Sequence, residues 1–171
     1  MALTLWLARH GATDWSDAGR LCGWADVPLN AAGRRQARAL RARLAGRRFA
    51  SVLASDLSRA AETAAIAIGG AVPDPRLREL HFGELEGRTW AELDPGARAG
   101  LLAFEGFRAP GGESVEDLRR RVLAVVHALP PGEHLLVTHG GVIRLLLGPA
   151  GASTRVAPGG LVRLSPAPAG G

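Results

Sequence analysis

Two histidines follow short apolar runs in the same way. The run "LWLARHG" ends in His10 and Gly11, and the run "LLVTHGG" ends in His139 and Gly140. In open α/β sheets, ligands bind outside the carboxyl ends of the strands. If both runs are strands of one sheet, the two imidazoles can therefore meet in one crevice. A lone histidine at a strand end is more often structural, but two in the same glycine-flanked context favour a functional site.

Two arginines accompany these histidines. Arg9 precedes His10, and Arg59 lies in the first turn of a predicted helix, where free backbone N–H groups also attract an anion. Two guanidinium groups and two imidazoles suit a phosphoryl group, which carries its charge on three equatorial oxygens. The alternative for Arg59 is an ion pair with Asp56 or Glu62. The alternative for Arg9 is a surface charge.

Phosphoryl transfer also needs a proton donor for the leaving oxygen. The segment "RELHFGELEGR" offers Glu79, Glu84 and Glu86, and the residue types alone do not choose among them. The chemistry needs no metal, because a neutral imidazole can attack phosphorus itself and neighbouring cations lower the pKa of that imidazole. Metal-assisted hydrolysis is the competing hypothesis, but two histidines without a carboxylate cluster are too few ligands. We expect no metal and no cofactor.

The elements that must position these residues alternate along the chain. Strands are predicted over 4–8, in "FASVLAS", around Ala71 and Val72, over 135–138 and in "GGLVRLSP". Helices are predicted from an Asn30 N-cap to Gly46, over 56–68, from a Ser114–Asp117 capping box to Pro130, and after His139. Strands that alternate with helices predict an α/β fold, a three-layer α/β/α sandwich with a mainly parallel central sheet.

We expect one domain over residues 1–171, because a chain of this length buries about two thirds of its unfolded surface. Residues 90–112 are predicted to be irregular and form a candidate lid over the site, and the tail, 166–171, is expected to fray. Cys22 is the only cysteine, which excludes an intramolecular disulfide and a cysteine-rich zinc site. We see no signal peptide and no run long enough to span a membrane, so we expect a soluble cytoplasmic protein without a membrane partner.

The chain is basic, with a net charge of +5 and a pI of about 11.2. Every one of its 21 basic residues is arginine, a bias that we interpret as compositional background. The segment "RRQARALRARLAGRR" nevertheless raises the alternative of an arginine-rich nucleic-acid-binding module. Its residues Ala37, Leu40 and Leu44 lie on one helical face. The segment itself contains no aromatic residue for base stacking, and the first one after it is Phe49. A solvated helix face is the favoured interpretation, and no nucleic-acid partner is expected.

Five segments resemble, in order, the successive motifs of the histidine phosphatase superfamily, in the branch that includes phosphoglycerate mutases. They are "LARHGATDW", "GWADVPLNAAGRRQA", "ASDLSRAAETA", "LRELHFGELEG" and "LLVTHGGV", and the resemblance spans residues 5–142. It implies a phosphoglycerate mutase-like fold, with His10 as the nucleophile that becomes phosphorylated and Glu79 as the proton donor. It also implies that Arg9, Arg59 and His139 hold the phosphoryl oxygens.

The same resemblance implies a set of substrate-binding residues. They are Arg9, Thr13, Ser16, Gly23, Arg59, His139 and Gly140. The sequence departs from the family at two positions, since the family often has Glu and Asn where this chain has Ala12 and Ser16. A phosphate contact from the Ser16 hydroxyl is therefore an open prediction. A homodimer is an expectation drawn from the family alone.

Two features of the resemblance bear on the reaction. Mutases of this family carry a longer insertion between the acid and the second histidine, and a C-terminal extension that helps to close the site. Here 59 residues separate Glu79 from His139, and 32 follow His139. A site that closes poorly admits water, and water hydrolyses a phosphohistidine. We therefore expect a phosphomonoester hydrolase acting on a small molecule, with a cofactor-dependent phosphoglycerate mutase as the alternative.

A finer resemblance concerns the substrate. "ELHFGELEG" followed by "FEGFRAPGGES" resembles the compact bacterial α-ribazole-5′-phosphate phosphatases of cobalamin biosynthesis. Four aromatic residues are candidates for the leaving-group side of the pocket, or for packing in the core or lid: Trp24, Phe82, Phe104 and Phe107. Arg108 is a candidate for contact with a second anionic group or for a solvent-facing position. A phosphomonoesterase of broad specificity is the remaining alternative.

Overall fold

The computed structural model describes residues 2–148 and 155–165. Its strands are β1 (Leu3–Arg9), β2 (Ser51–Ala54), β3 (Val72–Pro73), β4 (Gly132–Thr138) and β5 (Leu161–Leu164). Its helices are α1 (Asp14–Asp17), α2 (Ala31–Leu44), α3 (Ser58–Ile68), α4 (Pro95–Ala103), α5 (Val115–His127) and α6 (Gly140–Leu147). Short 3₁₀ turns lie at 75–77, 83–85 and 90–92. The tail that we expected to fray, 166–171, lies outside the described residues.

The five strands form one sheet in the order β3-β2-β4-β1-β5. The first four are parallel to one another, and β5 runs antiparallel to β1 at the edge. In the β1–β4 pairing Arg9 lies opposite Thr138, and the His10 N–H donates to the Thr138 carbonyl at 3.0 Å. His10 directly follows β1 and His139 directly follows β4, so the two histidines lie side by side at the same edge of the sheet.

Both faces of the sheet are covered, because the central strands are apolar on both sides. On β1, Trp6 and Ala8 face a core shared with α2 and α3, whereas Leu5 and Leu7 face a core shared with α5 and α6. The buried residues of α2 include Ala37, Leu40 and Leu44, as their spacing predicts. The three-layer α/β/α sandwich with a mainly parallel sheet is confirmed.

The predicted helix ends are also confirmed where the sequence carries a cap. The Asn30 side chain accepts the Gly33 N–H at 2.9 Å and begins α2. Ser114 and Asp117 form the predicted capping box at the start of α5, with the Asp117 N–H donating to the Ser114 hydroxyl at 3.0 Å. Gly69 ends α3 in a left-handed conformation, with φ of 84°.

The segment 90–112 differs from the irregular structure expected of it, because residues 95–103 form α4. Asp94 caps this helix by accepting the Ala97 N–H at 2.8 Å. A side chain at Gly100 would collide with the Phe107 ring, so this glycine lets Phe107 pack directly on the helix. Tertiary packing thus stabilises this helix. Its sequence, "PGARAGLLA", contains two glycines, which weaken the helical pattern. Its role as a lid stays a prediction.

Two glycines bring α2 against the loop after β1. A Cβ on Gly33 would collide with the Ala12 backbone, and a Cβ on Gly11 would collide with Gly33. The loop is tied down further by hydrogen bonds from the Gly11 N–H to Thr63 and from the Ala12 N–H to Gln36, at 3.1 and 2.8 Å. This close backbone approach fixes the residues next to His10.

Candidate active site

His10 is buried, with 6% of its surface exposed. Its Nδ1 lies 2.7 Å from the Gly11 carbonyl oxygen, which can only accept, so Nδ1 carries the hydrogen. Burial, reinforced by the charges of Arg59 and Arg9, lowers the pKa of His10 to about 3. The ring is therefore neutral near pH 7, and the lone pair is on Nε2. This is the state that a nucleophilic imidazole needs.

His139 is fully buried at the N-cap of α6. Its ring centroid lies 5.1 Å from that of His10, with an angle of 61° between the two ring planes. Its Nε2 is 2.8 Å from the Ser55 hydroxyl, whereas its Nδ1 is buried without a partner. Burial, with smaller contributions from His10 and Arg59, holds the pKa of His139 well below its usual value. His139 is thus a neutral ring with one nitrogen free for a ligand.

Arg59 is the second residue of α3 and is completely buried. Its Nη1 donates to the Ala25 carbonyl at 2.9 Å, and its Nη2 donates to the carbonyls of Gly23 and Cys22 at 2.6 and 3.3 Å. Its Nε is buried without a partner. The loop of residues 22–25 therefore holds the outer end of the guanidinium and leaves the Nε–H available.

The alternative of a structural ion pair for Arg59 is wrong. Asp56 pairs with Arg78 at 2.6 Å, and Glu62 pairs with Arg34 at 2.6 Å. Within the described part of the chain, no ion pair includes Arg59. Arg59 is a buried cation whose direct partners are backbone carbonyls, a costly arrangement unless an anion binds beside it.

Arg9 is half-buried at the end of β1. Its Nη1 donates to the Val156 carbonyl at 2.8 Å, and its Nε is buried without a partner. A Cβ on Gly140 would lie 3.5 Å from the Arg9 Cζ, so the guanidinium lies against the first residue of α6. Burial lowers the pKa of Arg9, and Glu79 opposes that shift. The alternative of a freely solvated surface charge is therefore wrong.

The unpartnered atoms of these residues form the main observation at this site. Across residues 2–148 and 155–165, four buried side-chain N or O atoms have no hydrogen-bond partner, and three of them are Arg9 Nε, Arg59 Nε and His139 Nδ1. Buried polar atoms in native proteins are nearly always paired. The three unpaired nitrogens belong to residues around a neutral His10, and together they can bind an anion.

Glu79 is the glutamate that lies next to this cluster. The residue is 8% exposed, and its carboxylate accepts the N–H groups of Leu80 and Gly141, each at 2.9 Å. A Cβ on Gly141 would collide with the carboxylate, so the glycine lets Glu79 reach the first turn of α6. Glu84 is exposed, and Glu86 hydrogen-bonds to a neighbouring loop. The structure thus separates three glutamates that the residue types alone did not distinguish.

Four further residues were predicted to bind substrate. Thr13 and Ser16 form a capping box, in which the Ser16 N–H donates to the Thr13 hydroxyl at 3.1 Å and the Thr13 N–H donates to the Ser16 hydroxyl at 2.9 Å. Gly23 supplies a carbonyl to Arg59, and Gly140 lies under Arg9. Phosphate contacts from Thr13 and Ser16 stay predictions.

The aromatic candidates divide into two groups. Phe107 belongs to the core around α4 and α5, and Phe104 packs beneath the Arg144 guanidinium, 4.5 Å from its ring centroid. Trp24 lies next to Glu79, whose carbonyl accepts the indole N–H at 2.9 Å. Phe82 lies on the same side, against Gly23. Trp24 and Phe82 therefore remain candidates for the leaving-group side of the site.

Two positioning contacts were missed from the sequence. Ser55, which orients His139, directly follows β2, and a polar residue at that strand end was the available signal. Arg121 of α5 donates to the carbonyls of Arg78 and Glu79 at 2.6 and 2.7 Å and pairs with Glu113 at 2.8 Å. Arg121 therefore fixes the backbone that carries Glu79. A local sequence pattern cannot indicate this contact, because the two residues lie 42 positions apart.

The two buried histidines of the site, His10 and His139, predict a pH-dependent stability. His10 has a folded-state pKa of about 3, below its unfolded value of about 6.5, so the stability present above pH 6.5 is lost as the pH falls toward 3. Lowering the pH from about 7 to about 5 should reduce the free energy of unfolding by roughly 2 kcal/mol through His10, and His139, whose pKa is also lowered, should add to this loss. Urea unfolding at the two pH values measures this loss of stability. The matched control is His127→Ala, which removes an exposed histidine. An unfolding free energy that stays constant over this range would contradict the assignment of two neutral, buried rings.

In the described part of the chain, no helix is both long enough and apolar enough to cross a membrane. No group of three or more His, Cys, Asp or Glu side chains among the same residues is arranged to hold a metal ion.

Comparison with known proteins adds to this geometry. Residues 5–155 match the family model of the histidine phosphatase superfamily (branch 1). The chain is 38% identical over 157 residues to the probable phosphoglycerate mutase GpmB of Yersinia enterocolitica, covering 85% of this chain and 73% of that protein. A phosphoglycerate mutase structure from Thermus thermophilus is 44% identical, with a TM-score of 0.89 over 95% of this chain and 92% of that one. YhfR from Bacillus stearothermophilus is 34% identical, with a TM-score of 0.84 over 95% of this chain and 90% of that one.

Proposed function

The chain belongs to the histidine phosphatase superfamily, branch 1, and from this membership we propose that it hydrolyses phosphomonoesters through a phosphohistidine at His10. Membership makes it an enzyme of the phosphatase or mutase type. One observation carries the proposal: three buried, unpaired nitrogens lie on the arginines and histidine around a neutral His10. Such preorganised donors stabilise charge that develops on a phosphoryl group. The proposed chemistry uses no metal and no cofactor.

In the first step the phosphoryl oxygens accept hydrogen bonds from Arg9 Nε, Arg59 Nε and His139 Nδ1. His139 can donate from Nδ1 because the Ser55 hydroxyl can donate to its Nε2. The lone pair of His10 Nε2 attacks phosphorus in line, and the bond from phosphorus to the leaving oxygen breaks. Protonated Glu79 gives its proton to that oxygen, which leaves as an alcohol.

In the second step water attacks phosphorus on the face from which the alcohol left. The Glu79 carboxylate takes a proton from this water, and the bond between phosphorus and Nε2 breaks. His10 returns to its neutral form and inorganic phosphate is released. Throughout, the Nδ1–H bond to the Gly11 carbonyl holds the ring in one orientation and stabilises the positive charge that the phosphorylated ring carries.

The arrangement of cations favours hydrolysis of a simple ester over a mutase reaction. A phosphoglycerate carries a carboxylate that needs a cation of its own. Among the described residues near the Glu79 segment, Arg78 pairs with Asp56 at 2.6 Å and Arg121 pairs with Glu113 at 2.8 Å. Arg108, the candidate for a second anion, pairs with Asp117 at 3.1 Å and is largely exposed. The mutase alternative is supported by the names of the relatives.

The proposed substrate class is a ribazole-type nucleoside monophosphate, with α-ribazole 5′-phosphate as the specific candidate. The support is the aromatic side of the site, where the Trp24 indole lies next to Glu79 and 4.7 Å from the His81 ring centroid. A flat heteroaromatic leaving group can stack on such a surface. The cytoplasmic location, the single domain and the homodimer stay predictions.

Three substrates separate the alternatives. The purified protein is incubated with α-ribazole 5′-phosphate, with 3-phosphoglycerate and with an aryl phosphate, and phosphate release is measured. We expect selective turnover of the first. Comparable turnover of all three indicates broad specificity. Interconversion of phosphoglycerates that depends on a bisphosphorylated primer would overturn the hydrolase proposal, and steeply salt-dependent nucleic-acid binding without any turnover would favour the binding-module alternative.

A further inference from the structure

Glu86 takes no part in the two chemical steps, yet both of its carboxylate oxygens accept hydrogen bonds from the loop that holds Arg59. Oε1 accepts the Trp24 N–H at 2.7 Å, and Oε2 accepts the Ala25 N–H at 2.7 Å. The side chain is only 14% exposed. Short hydrogen bonds to a largely buried, charged acceptor are roughly twice as strong as hydrogen bonds between neutral groups.

A single peptide unit connects this carboxylate to the guanidinium. The carbonyl of the Gly23–Trp24 peptide accepts from Arg59 Nη2 at 2.6 Å, and the N–H of the same peptide donates to Glu86. A second contact runs through Ala25, whose N–H donates to Glu86 and whose carbonyl accepts from Arg59 Nη1. Hydrogen bonds arranged in such chains polarise and strengthen one another.

We propose that Glu86 is a positioning residue for Arg59, a role that rests on the proposed function of Arg59 in binding the phosphoryl group. Arg59 has no carboxylate partner among the described residues, and Glu86 supplies the counter-charge through one peptide. The loop of residues 22–25 contains no helix or strand, so the direction of its carbonyls depends on contacts with other segments. The Trp24 indole bond to the Glu79 carbonyl is one such contact. Glu86 supplies the two that bind the backbone N–H groups of Trp24 and Ala25.

Gly23 makes this arrangement sterically possible. A Cβ at that position would lie 2.6 Å from Glu86 Oε1 and 2.9 Å from the Phe82 ring, and it would collide with the Leu80 carbonyl. The absence of a side chain lets the loop approach the segment that carries both Glu79 and Glu86. The proton donor and the phosphate-binding arginine are thereby fixed to one another.

Two effects of Glu86 on a bound anion oppose each other. Its negative charge repels the anion, whereas its hydrogen bonds hold Arg59 in place. The repulsion acts over a longer range and is screened by solvent and salt, while the hydrogen bonds are short and half-buried. The positioning effect therefore dominates, and removal of the carboxylate weakens anion binding.

The test is the binding of inorganic phosphate to Glu86→Gln, measured by titration calorimetry, which does not depend on turnover. We expect the dissociation constant to rise about tenfold, since a charge-assisted contact is lost, with a parallel rise in KM. Glu84→Gln, in the 3₁₀ turn that Glu86 follows but exposed, is the matched control and leaves both values unchanged. Unchanged or tighter phosphate binding by Glu86→Gln would overturn the inference.

A double-mutant cycle shows whether Glu86 acts through Arg59. In an Arg59→Lys background the loop carbonyls no longer hold a forked guanidinium, so Glu86→Gln should add less than about a twofold loss. The same tenfold loss in both backgrounds overturns the inference. If thermal unfolding shows that Glu86→Gln does not fold, Glu86→Asp is measured instead. It keeps the charge and should bind phosphate better than Glu86→Ala, and equal binding by these two variants counts against the proposal.

These outcomes are distinguishable from failure of the proposed function. Absence of phosphatase activity in the unaltered protein contradicts the proposed hydrolysis, but phosphate binding and its dependence on Glu86 remain measurable. An active enzyme in which Glu86→Gln binds phosphate normally overturns only the positioning role.

Discussion

Replacing His10 by Ala is expected to abolish turnover, with a loss on the order of 10⁵-fold, because the variant lacks the nitrogen that attacks phosphorus. The phosphoenzyme that can be trapped in the unaltered protein by a rapid quench into alkaline denaturant, in which the P–N bond survives, should be absent from the variant. Both results follow from the free Nε2 lone pair of a ring that stays neutral near pH 7. Turnover is measured by phosphate release, and the phosphoenzyme by mass spectrometry.

The variant must still fold for this result to be informative. Its circular dichroism spectrum should be unchanged, and it should still bind inorganic phosphate, since Arg9, Arg59 and His139 are intact. His127→Ala removes an exposed histidine from α5 and should have full activity. Phosphorylation that persists at another residue in His10→Ala would refute the assignment of the nucleophile.

Replacing Glu79 by Gln is expected to slow the hydrolysis of alkyl phosphates by roughly 10²- to 10⁴-fold, the usual contribution of a general acid. Aryl phosphates should lose far less, because a phenolate leaves without a proton. Glutamine keeps the shape of the side chain but can accept only one of the two backbone N–H groups that the carboxylate accepts, so the difference between alkyl and aryl esters, and not the loss itself, reports on the proton. The kcat values for one alkyl and one aryl phosphate give the comparison.

Glu84→Gln serves as the control for this measurement, because Glu84 is exposed in the neighbouring turn. It should leave the ratio of alkyl to aryl turnover unchanged. Equal losses for both substrate types in Glu79→Gln would mean that Glu79 acts otherwise than as the proton donor.

The layers of the fold were predictable because its strands and helices carry strong local signals. β1 and β4 are short apolar runs, and α2 and α5 begin at Asn30 and Ser114, which the sequence marks as caps. α4 was missed because its two glycines weaken the apolar pattern, and tertiary packing of Phe107 on Gly100 compensates for them. Local propensity thus predicted the central sheet better than the peripheral segments.

The site was predictable only in its outline. The positions of His10 and His139 follow from two strand ends that face the same way. The contacts that orient these residues join distant parts of the chain: Ser55 lies 84 residues from His139, and Gly23 lies 36 residues from Arg59. No periodicity or spacing encodes such contacts, because only the tertiary structure brings their partners together.

The position of β1 between β4 and β5 has a consequence for how the protein is made. The ribosome synthesises this apolar strand before either of its neighbours. The segment just before β5 is also needed for the site, because its Val156 carbonyl accepts a hydrogen bond from Arg9. A nascent chain therefore carries an exposed, unpaired strand until β4 has been translated, a state that favours aggregation and chaperone binding. Because pairings between distant segments form slowly, we expect the anion site to assemble only after β4 and the segment that contains Val156 have been translated.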